Sequence, residues 1–331
     1  MSKRSSRALG IVVPTYNRWP ALLRCLKHLE DQTYKDFEVV VVDDGSTDCT
    51  ETEMQSYAAT SPMDLQYLRQ DNGGPAKARN LAISKLNAPI CLMIGDDIFA
   101  SSTLAERHIA FHRAHPDLNA AALGLTRWTS RGQTITPFMA WLEKQRFQFA
   151  YEELLAGAEP NIHHFYTSNV SLKTDLLRKF PFDERFPFAA MEDTELACRI
   201  QRQHGLKLQF LPEALAYHLH PTTFKQGCER MLRVGYSYRL FDDLWPDQQI
   251  SLPAWKRGFY SALLAVGRRP ALLRLLVDLV ELCNRTIGPS RLINIAFRCK
   301  FLVGYESERD TNGNFVNRSD RTRVQATRRV S

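Results

Sequence analysis

Short apolar runs alternate with segments of helical periodicity in the N-terminal part of the chain. This alternation constrains the fold more than any other feature. The apolar runs cover residues 9–13, 37–42, 65–68 and 89–94. Between them, apolar residues recur at helical intervals, as Leu22, Leu26 and Leu29 do. A strand-helix-strand order predicts parallel pairing with right-handed crossovers. The chain is therefore expected to be an α/β protein.

The remainder of the chain is less regular. Helices are expected over residues 107–115, 136–155, 192–204, 222–240 and 271–283, and strands over 165–172, 206–211 and 214–220. Gly205 follows the helix at 192–204, in the position where a left-handed residue ends many helices. From residue 307 the sequence is polar and is expected to be disordered.

Composition limits the cellular setting and the partners. The 331 residues include 43 Lys and Arg against 36 Asp and Glu, a formal charge of +7, and much of the excess lies in the two tails. Such a charge favours anionic partners in general and does not identify a function by itself. Seven cysteines without a CxxC pair argue against a disulfide framework. Because the sequence also shows no secretory or membrane-spanning apolar segment, we expect a cytoplasmic protein.

Polar turns follow three of the predicted strands, and two of these turns are acidic. Asp43 and Asp44 follow one strand, and Asp96 and Asp97 follow another. Ligands gather at the carboxyl ends of parallel strands, so these turns are expected to meet at one edge of the sheet. Mg²⁺ and Mn²⁺ prefer oxygen ligands and often bind one or two carboxylates together with substrate phosphates. The alternative is a pair of solvated acidic turns, since carboxylates are usually exposed.

Two histidines and one acidic segment add further candidates. His218 and His220 lie two residues apart in an extended segment and therefore share a face. They are candidate metal ligands, or else structural or surface residues. Asp193 lies in the first turn of the helix at 192–204, where it would serve as a capping residue or as a general base. Because the helix dipole lowers the pKa of a carboxyl there, a base would need a second acidic group or a desolvated pocket to offset the dipole.

Six segments in order resemble the family 2 glycosyltransferases of the GT-A fold. They are VVPTYNR at 12–18, VVDDGSTD at 41–48, GGPAKARN at 73–80, GDD at 95–97, SNVS at 168–171 and EDTEL at 192–196. The resemblance covers residues 9 to about 239. It implies a Rossmann-like, mostly parallel sheet flanked by helices, with a C-terminal helical extension.

The resemblance also implies a set of donor contacts. The turn after the first strand would lie along the nucleotide, and Asp44 or Asp43 would accept a hydrogen bond from the base. Arg79 would lie over the base or the diphosphate, and Asp96 would lie near the ribose or the sugar. The donor-binding residues expected on this basis are Pro14, Thr15, Tyr16, Asn17, Asp43, Asp44, Arg79, Asp96, Asn169 and Glu192.

The same resemblance implies a metal site and a catalytic base. Asp97 would bind Mn²⁺ or Mg²⁺ between the donor phosphates, and His218 or His220 would help to complete the metal shell. The family's usual Asp-x-Asp motif is altered here, because Gly95 stands in the first position. Asp193 would be the catalytic base of a single, inverting displacement.

The expected function is transfer of a sugar from a nucleotide donor, with a UDP-sugar the commonest donor in the family. The acceptor would be a hydroxyl of a glycan or lipid-linked glycan in cell-envelope polysaccharide synthesis. The alternatives are a catalytically inactive nucleotide-sugar-binding module and a nucleotidyltransferase, although the glycine-rich basic loop expected of the latter is absent. GxGxxG is absent too, which argues against a dinucleotide oxidoreductase. No nucleic-acid partner is expected.

The acceptor side is less well specified by the sequence. Aromatic residues form either an acceptor wall or buried core; they are Trp128, Trp141, Phe147, Phe149, Tyr151 and Phe165. Residues 259–303 carry Arg268, Arg269, Arg274 and Arg285 among many leucines. That segment is either an amphipathic platform on the inner face of the cell membrane or a helical hairpin on the catalytic domain.

The expected domain boundaries combine these points. A basic tail covers residues 1–8, and a catalytic domain covers 9–245. The catalytic domain has a nucleotide-binding half at 9–100 and an acceptor half at 101–245. The helical extension covers 246–306, and a polar disordered tail covers 307–331.

Overall fold

The structure, a computed structural model, describes residues 7–248, 257–287, 291–309 and 315–317. The chain divides into two compact units. The first comprises Met1–Ile135 and Glu143–Pro221, and the second comprises Thr136–Leu142 and Thr222–Ser331. The division falls before the helix that starts at Phe224, whereas the sequence placed the end of the catalytic domain at residue 245.

The first unit is built on one eight-stranded sheet. Its strands are β1 (Leu9–Thr15), β2 (Phe37–Asp43), β3 (Asp64–Arg69), β4 (Ile90–Ile94), β5 (Ile98–Ala100), β6 (Ala120–Trp128), β7 (Asn169–Lys173) and β8 (Lys207–His218). Their order across the sheet is β3-β2-β1-β4-β7-β6-β8-β5. The four N-terminal strands pair in parallel, as the sequence predicted. β7 and β5 run antiparallel to their neighbours.

Helices cover both faces of this sheet. The helices of this unit up to β8 are α1 (Trp19–Glu30), α2 (Thr50–Thr60), α3 (Pro75–Lys85), α4 (Leu104–Ala114), α6 (Tyr151–Leu155), α7 (Thr174–Lys179) and α8 (Glu192–His204), whereas most of α5 (Pro137–Lys144) belongs to the second unit. Successive strand residues point to opposite faces, so Val40 and Val42 enter one core while Val39 and Val41 enter the other. A sheet buried on both faces explains why its strands are continuous apolar runs.

The central and edge strands of the C-terminal half differ from the sequence prediction. β6 and β5 were not predicted. β8 is one strand, in which an irregularity opposite Gly124 and Leu125 joins the two extended segments expected at 206–211 and 214–220. β7 starts at Asn169 rather than at residue 165, because a short 3₁₀ helix (Ile162–His164) and a turn precede it.

The second unit is mainly helical. It contains α9 (Phe224–Leu244), a 3₁₀ turn (Pro246–Gln248), α10 (Arg257–Gly267), α11 (Pro270–Ile287) and α12 (Arg291–Tyr305). A Cβ on Gly235 would lie 2.0 Å from the carbonyl oxygen of Phe301, so this glycine lets α9 and α12 approach closely. Within the described ranges, no helix combines the length and apolarity that crossing a bilayer requires.

The expected disorder from residue 307 is wrong for two short segments. β9 (Ser307–Arg309) and β10 (Phe315–Asn317) pair as antiparallel strands. The rest of the predicted disordered tail and most of the basic tail at 1–8 lie outside the described residues.

A chain of polar side chains, buried except for Lys173 at its end, joins α4 to β7. Lys173 Nζ lies 3.3 Å from His112 Nδ1, and His112 Nε2 lies 2.8 Å from Ser171 Oγ. Ser171 Oγ lies 2.7 Å from His108 Nδ1, and His108 Nε2 lies 2.9 Å from Asn169 Oδ1. Lysine can only donate, so both imidazoles must carry the proton on Nε2 for every contact to be a hydrogen bond. Burial disfavours a second proton on either ring, so both histidines are neutral at neutral pH.

This network predicts a loss of stability at acidic pH. Burial lowers the pKa of His108 to about 4 and that of His112 to about 3. Below about pH 6.5 the unfolded chain binds protons that the folded imidazoles do not, so the free energy of unfolding falls by about 1.4 kcal/mol per pH unit for each histidine. We expect His112→Gln to be less stable than the wild type at neutral pH. Its free energy of unfolding should also decline less steeply as the pH falls. Urea unfolding between about pH 5 and about pH 7 measures both slopes.

The control for this prediction is His115→Gln, which changes an exposed histidine just after α4. In this variant the free energy of unfolding is expected to change with pH as steeply as in the wild type. An unchanged slope in His112→Gln would contradict the assignment of a neutral buried imidazole.

Candidate active site

The turn after β1 is held by the turn after β2. Asn17 adopts a left-handed backbone conformation with φ of 53°, which asparagine tolerates better than most residues. Its Oδ1 accepts hydrogen bonds from the backbone N–H groups of Thr47 at 2.7 Å and Asp48 at 3.2 Å. Its own N–H donates to Ser46 Oγ. Tyr16 is left 46% exposed at this edge, with a ring available for stacking.

Asp44 organises the loop after β3. It accepts hydrogen bonds from Gln70 Nε2 and from the backbone N–H groups of Gly73 and Gly74, at 2.7 to 2.8 Å. A carboxylate has about four acceptor positions, so these three bonds leave about one for a ligand. Gly74 has φ of 89°, and a Cβ there would lie 2.9 Å from the carbonyl oxygen of Pro187, so the position requires glycine.

Asp43, the alternative base contact, is enclosed within the turn. Its side chain has no exposed surface, and its two oxygens accept hydrogen bonds from the Ser46 N–H and the Tyr67 hydroxyl. Arg69 Nε lies 3.8 Å away. Asp43 therefore shapes the turn, and Asp44, which is 6% exposed, is the member of the pair that is not completely buried.

The turn after β4 brings two carboxylates against Arg18. Thr15 Oγ1 donates to Asp96 Oδ2 at 2.8 Å. Arg18 Nη1 lies 2.7 Å from Asp97 Oδ2 and 3.3 Å from Asp96 Oδ1. Thr15 is buried, whereas the Arg18 side chain remains 42% exposed. Arg18 is part of the VVPTYNR segment, but its contact with the two aspartates was not predicted from the sequence.

β5 places Asp97 beside the two histidines. This strand pairs antiparallel with β8, with Ile98 opposite His218, and the Leu219 N–H donates to the Asp97 carbonyl. Asp97 Oδ2 lies 3.4 Å from His218 Nε2 and 3.0 Å from His220 Nδ1. One ligand atom from each of the three residues lies within 4.8 Å of the others. The shared face expected of the histidines is present, since their rings stack at 5.3 Å.

The two aspartates differ in pKa because their neighbours differ. Burial raises the pKa of Asp96 to about 6, and the charge of Asp97 adds to this effect. Burial alone would also raise the pKa of Asp97, but His218, His220 and Arg18 outweigh it and hold that pKa well below its usual range. Asp97 is therefore ionised at neutral pH.

These three residues fit a divalent cation. They offer one carboxylate oxygen and two imidazole nitrogens, with the Arg18 guanidinium on the same carboxylate oxygen. Mg²⁺ strongly prefers oxygen ligands, whereas imidazole suits transition-metal ions. A cation bound to Asp97 Oδ2 would repel Arg18, whose partly exposed side chain is free to leave. His218 is fixed from behind, because Trp128 stacks on it at 4.9 Å and Gln148 Nε2 lies 3.4 Å from its Nδ1.

The acidic turn at the start of α8 contacts α3, the helix that begins just after the two glycines bound by Asp44. Glu192 is buried and accepts a hydrogen bond from Arg79 Nη1 at 2.9 Å. Arg79 is also buried, and it lies over the Phe182 ring. Arg79 thus pairs with Glu192 and is not a surface cation.

Asp193 has the environment that a general base at a helix N-terminus requires. Burial raises the pKa of Asp193 to about 7, and the adjacent charge of Glu192 contributes to the shift. The two features expected to offset the pKa-lowering effect of the helix dipole, a desolvated setting and a second acidic group, are both present. Met191, just before the helix, is left-handed with φ of 68°, a conformation that is uncommon outside glycine.

Asn169 lies buried at the start of β7. Its side chain has no exposed surface, and its amide nitrogen donates to the carbonyls of Ala214 and Leu125. Its oxygen contacts His108 in the buried network. In this structure the polar atoms of Asn169 bind neighbouring strands and His108, so a donor contact of this residue stays a prediction.

Comparison with known proteins identifies the family. The family model for "Glycosyl transferase family 2" matches residues 10–180, more than half of the chain. The chain belongs to glycosyltransferase family 2. A second model, "Glycosyl transferase family group 2", matches residues 126–293. The glycosyltransferase activity expected from the six segments is thereby supported at the level of the family.

The individual relatives have low sequence identity to this chain. A validoxylamine A glucosyltransferase of Streptomyces hygroscopicus subsp. jinggangensis is 28% identical over 258 residues, covering 68% of this chain and 60% of that protein. The chain thus spans less than two thirds of that relative's length. The poly(ribitol-phosphate) beta-N-acetylglucosaminyltransferase TarS of Staphylococcus aureus is 32% identical over 112 residues, covering 33% of this chain and 20% of that protein.

A solved structure confirms the fold. The mannosyltransferase PcManGT of Pyrobaculum calidifontis, determined in complex with GDP-Man and Mn²⁺, matches with a TM-score of 0.57 at 19% identity. The match covers 91% of this chain and 87% of that chain. The α/β GT-A architecture with helices after the sheet is therefore confirmed for this chain.

Proposed function

We propose that this glycosyltransferase transfers a sugar, with inversion, from a nucleoside diphosphate sugar to an acceptor hydroxyl. The observation that carries the proposal is the convergence of Asp97, His218 and His220 at the strand edge where Asp44 also lies. Tyr16 offers a ring for stacking on the base, and Asp44 retains an acceptor position. A solved relative of the same fold binds GDP-Man and Mn²⁺.

Asp97, His218 and His220 would hold a divalent cation, and their two imidazoles favour Mn²⁺ over Mg²⁺. When bound, such a cation supplies neutralising charge for the departing diphosphate. Arg18, once released from Asp97, would bind a phosphate oxygen through its planar guanidinium. Asp193 would take the proton from the attacking hydroxyl. The Arg79–Glu192 pair would hold the Asp193 turn in place.

The test of this function is a thermal-shift panel with UDP, GDP and their sugar conjugates, each with and without Mn²⁺. A ligand that binds only the native state raises its stability by mass action. We expect uridine nucleotides to give the largest shift, and we expect that shift to depend on Mn²⁺. A chain that no sugar nucleotide stabilises would contradict the proposal, and metal-dependent donor hydrolysis would separate an enzyme from an inactive binding module.

We propose a glycan or lipid-linked glycan of the cell envelope as the acceptor. Support comes from relatives whose names describe glucosyl and N-acetylglucosaminyl transfer, the second to a poly(ribitol-phosphate). Product formation on lipid-linked and free glycans, assayed side by side, would test this choice. Turnover on neither class, despite donor hydrolysis, would contradict it.

We also propose that α11 lies on an anionic lipid surface. Leu272, Leu275 and Leu279 follow helical spacing and are 41%, 55% and 53% exposed. Together they expose roughly 300 Å², well below the about 800 Å² per partner of a stable protein interface, so a lipid surface suits them better than a second chain. The exposed side chains of Arg268 and Arg274 carry matching positive charge.

Vesicle sedimentation tests the lipid contact. The double variant Leu275→Gln, Leu279→Gln is expected to reduce binding to phosphatidylglycerol vesicles about tenfold or more, because each buried leucine contributes roughly 1.5–3 kcal/mol. Leu118→Gln, which changes an equally exposed leucine of the first unit, is the control. Equal sedimentation of all three proteins would refute the contact.

A further inference from the structure

The guanidinium of Arg18 lies where it would compete with a cation bound to the Asp97 cluster. Arg18 Nη1 lies 2.7 Å from Asp97 Oδ2. His218 Nε2 and His220 Nδ1 reach the same oxygen, at 3.4 and 3.0 Å. Arg18 Nη2 lies 3.5 Å from His220 Nδ1. One side chain thus contacts two of the three candidate metal ligands and supplies the positive charge that their carboxylate needs.

The backbone of Arg18 is fixed, whereas its side chain is not enclosed. Its carbonyl oxygen accepts hydrogen bonds from the N–H groups of Ala21 and Leu22, at the start of α1, each at 3.0 Å. The preceding residue, Asn17, is tied to the turn after β2. The Arg18 side chain is nevertheless 42% exposed, against 12% for Asp97. The guanidinium can therefore turn away from the carboxylate by side-chain rotation alone, while the turn stays in place.

Arg18 connects two parts of the proposed donor site. Tyr16, the residue proposed to stack on the base, lies two residues earlier in the same turn. The Arg18 guanidinium reaches Asp97, where the diphosphate would meet the metal. A diphosphate that links the base to the metal would therefore pass beside Arg18. Arginine binds phosphate through paired N–H donors, and one of these groups, Nη1, is held by Asp97 in this structure.

We propose that Arg18 is an exchangeable counter-charge: it neutralises Asp97 until a divalent cation replaces it, and it then binds the donor diphosphate. The proposal rests on the proposed function, because it needs the same metal and donor. Two cations on one carboxylate oxygen repel each other, so Arg18 opposes metal binding when no diphosphate is present. When a diphosphate is present, the released guanidinium gains a new anionic partner. Arg18 therefore couples metal binding to donor binding, and such coupling acts equally in both directions.

Metal affinity in the absence of donor tests the proposal, because the expected change has the opposite sign to that of a structural role. Mn²⁺ binding to the full chain is followed by electron paramagnetic resonance without UDP. Arg18→Gln is expected to bind Mn²⁺ about tenfold more tightly than the wild type, the scale of a hydrogen bond to a charged group. If Arg18 merely held Asp97 in position, its loss would weaken Mn²⁺ binding.

The second readout is the effect of UDP on the same titration. UDP should strengthen Mn²⁺ binding in the wild type. In Arg18→Gln this strengthening should be smaller by about tenfold or more, because the guanidinium that would bind the diphosphate is missing. Arg18→Lys keeps a positive charge without the planar fork, so its Mn²⁺ affinity without UDP should lie between those of the wild type and Arg18→Gln.

The matched control is Arg178→Gln, since the Arg178 side chain is 43% exposed and is also ion-paired, in this case to Asp175. It should leave both Mn²⁺ measurements unchanged. If the wild type binds Mn²⁺ and UDP but a folded Arg18→Gln binds Mn²⁺ no more tightly without UDP, the counter-charge alone is overturned. If Arg18→Gln does not fold, the same comparison with Arg18→Lys decides. Absence of Mn²⁺ and UDP binding in the wild type would overturn the proposed function and, with it, this inference.

Discussion

Asp193→Asn is expected to lower sugar transfer about 10²- to 10⁴-fold, the range that a positioned general base contributes. The amide keeps the shape of the side chain and its hydrogen bond with the Thr194 N–H, but it cannot accept a proton. Donor affinity should therefore stay within a factor of about two to three, which affinity measurements with UDP would check. Asp175→Asn, which changes an exposed carboxylate in the first turn of α7, is the matched control.

The pH profile provides a second test of the same residue. Burial and the charge of Glu192 raise the pKa of Asp193 to about 7. Because a base acts only when deprotonated, kcat/KM should rise with pH and level off above about pH 7. Glu192→Gln removes the neighbouring negative charge, so the rising limb should move to lower pH. A profile that does not shift in Glu192→Gln, or full transfer by Asp193→Asn, would exclude Asp193 as the base.

Asp97→Asn is expected to weaken both Mn²⁺ binding and sugar transfer by at least about a hundredfold. Removing even a hydrogen-bond partner of a metal ligand typically lowers metal affinity or activity about 10- to 100-fold. Asp97 is the carboxylate whose oxygen contacts both His218 and His220. The variant also loses the ion pair with Arg18, so folding should be checked by thermal unfolding. Asp71→Asn, an exposed carboxylate just after β3, serves as the control.

Single histidine variants would show how much each imidazole contributes to Mn²⁺ binding. His218→Ala removes a buried ring held by Trp128, whereas His220→Ala removes a partly exposed ring. We expect both to weaken Mn²⁺ binding. Retention of wild-type affinity in both variants would leave Asp97 without its proposed co-ligands.

The parallel half of the sheet was predictable because each of its strands is a separate apolar run. The segment 37–42 is buried on both faces, and such strands are recognisable without knowledge of their neighbours. β6 begins Ala-Ala-Ala-Leu, which lacks the β-branched residues that favour strands, so its packing against β8 determines its conformation. β5 has only three residues, too few for any periodic signal.

The candidate site was only partly predictable for a different reason. Residue types and spacing placed His218 and His220 on one face and offered Asp96 and Asp97 as oxygen ligands, and the family resemblance selected Asp97. The partners of Arg18 and Asn169 lie far away in sequence and depend on tertiary packing. Asn169 contacts a histidine 61 residues away, and no local pattern indicates such a pair.

Mn²⁺ binding, followed by electron paramagnetic resonance in the presence of UDP, tests the central claim most directly. The wild-type chain should bind one Mn²⁺ at the Asp97, His218 and His220 cluster, and UDP should strengthen the binding because its phosphates complete the metal shell. In Asp97→Asn this signal should be lost while Asp71→Asn retains it. Equal Mn²⁺ binding by the wild type and Asp97→Asn would contradict the proposed metal site.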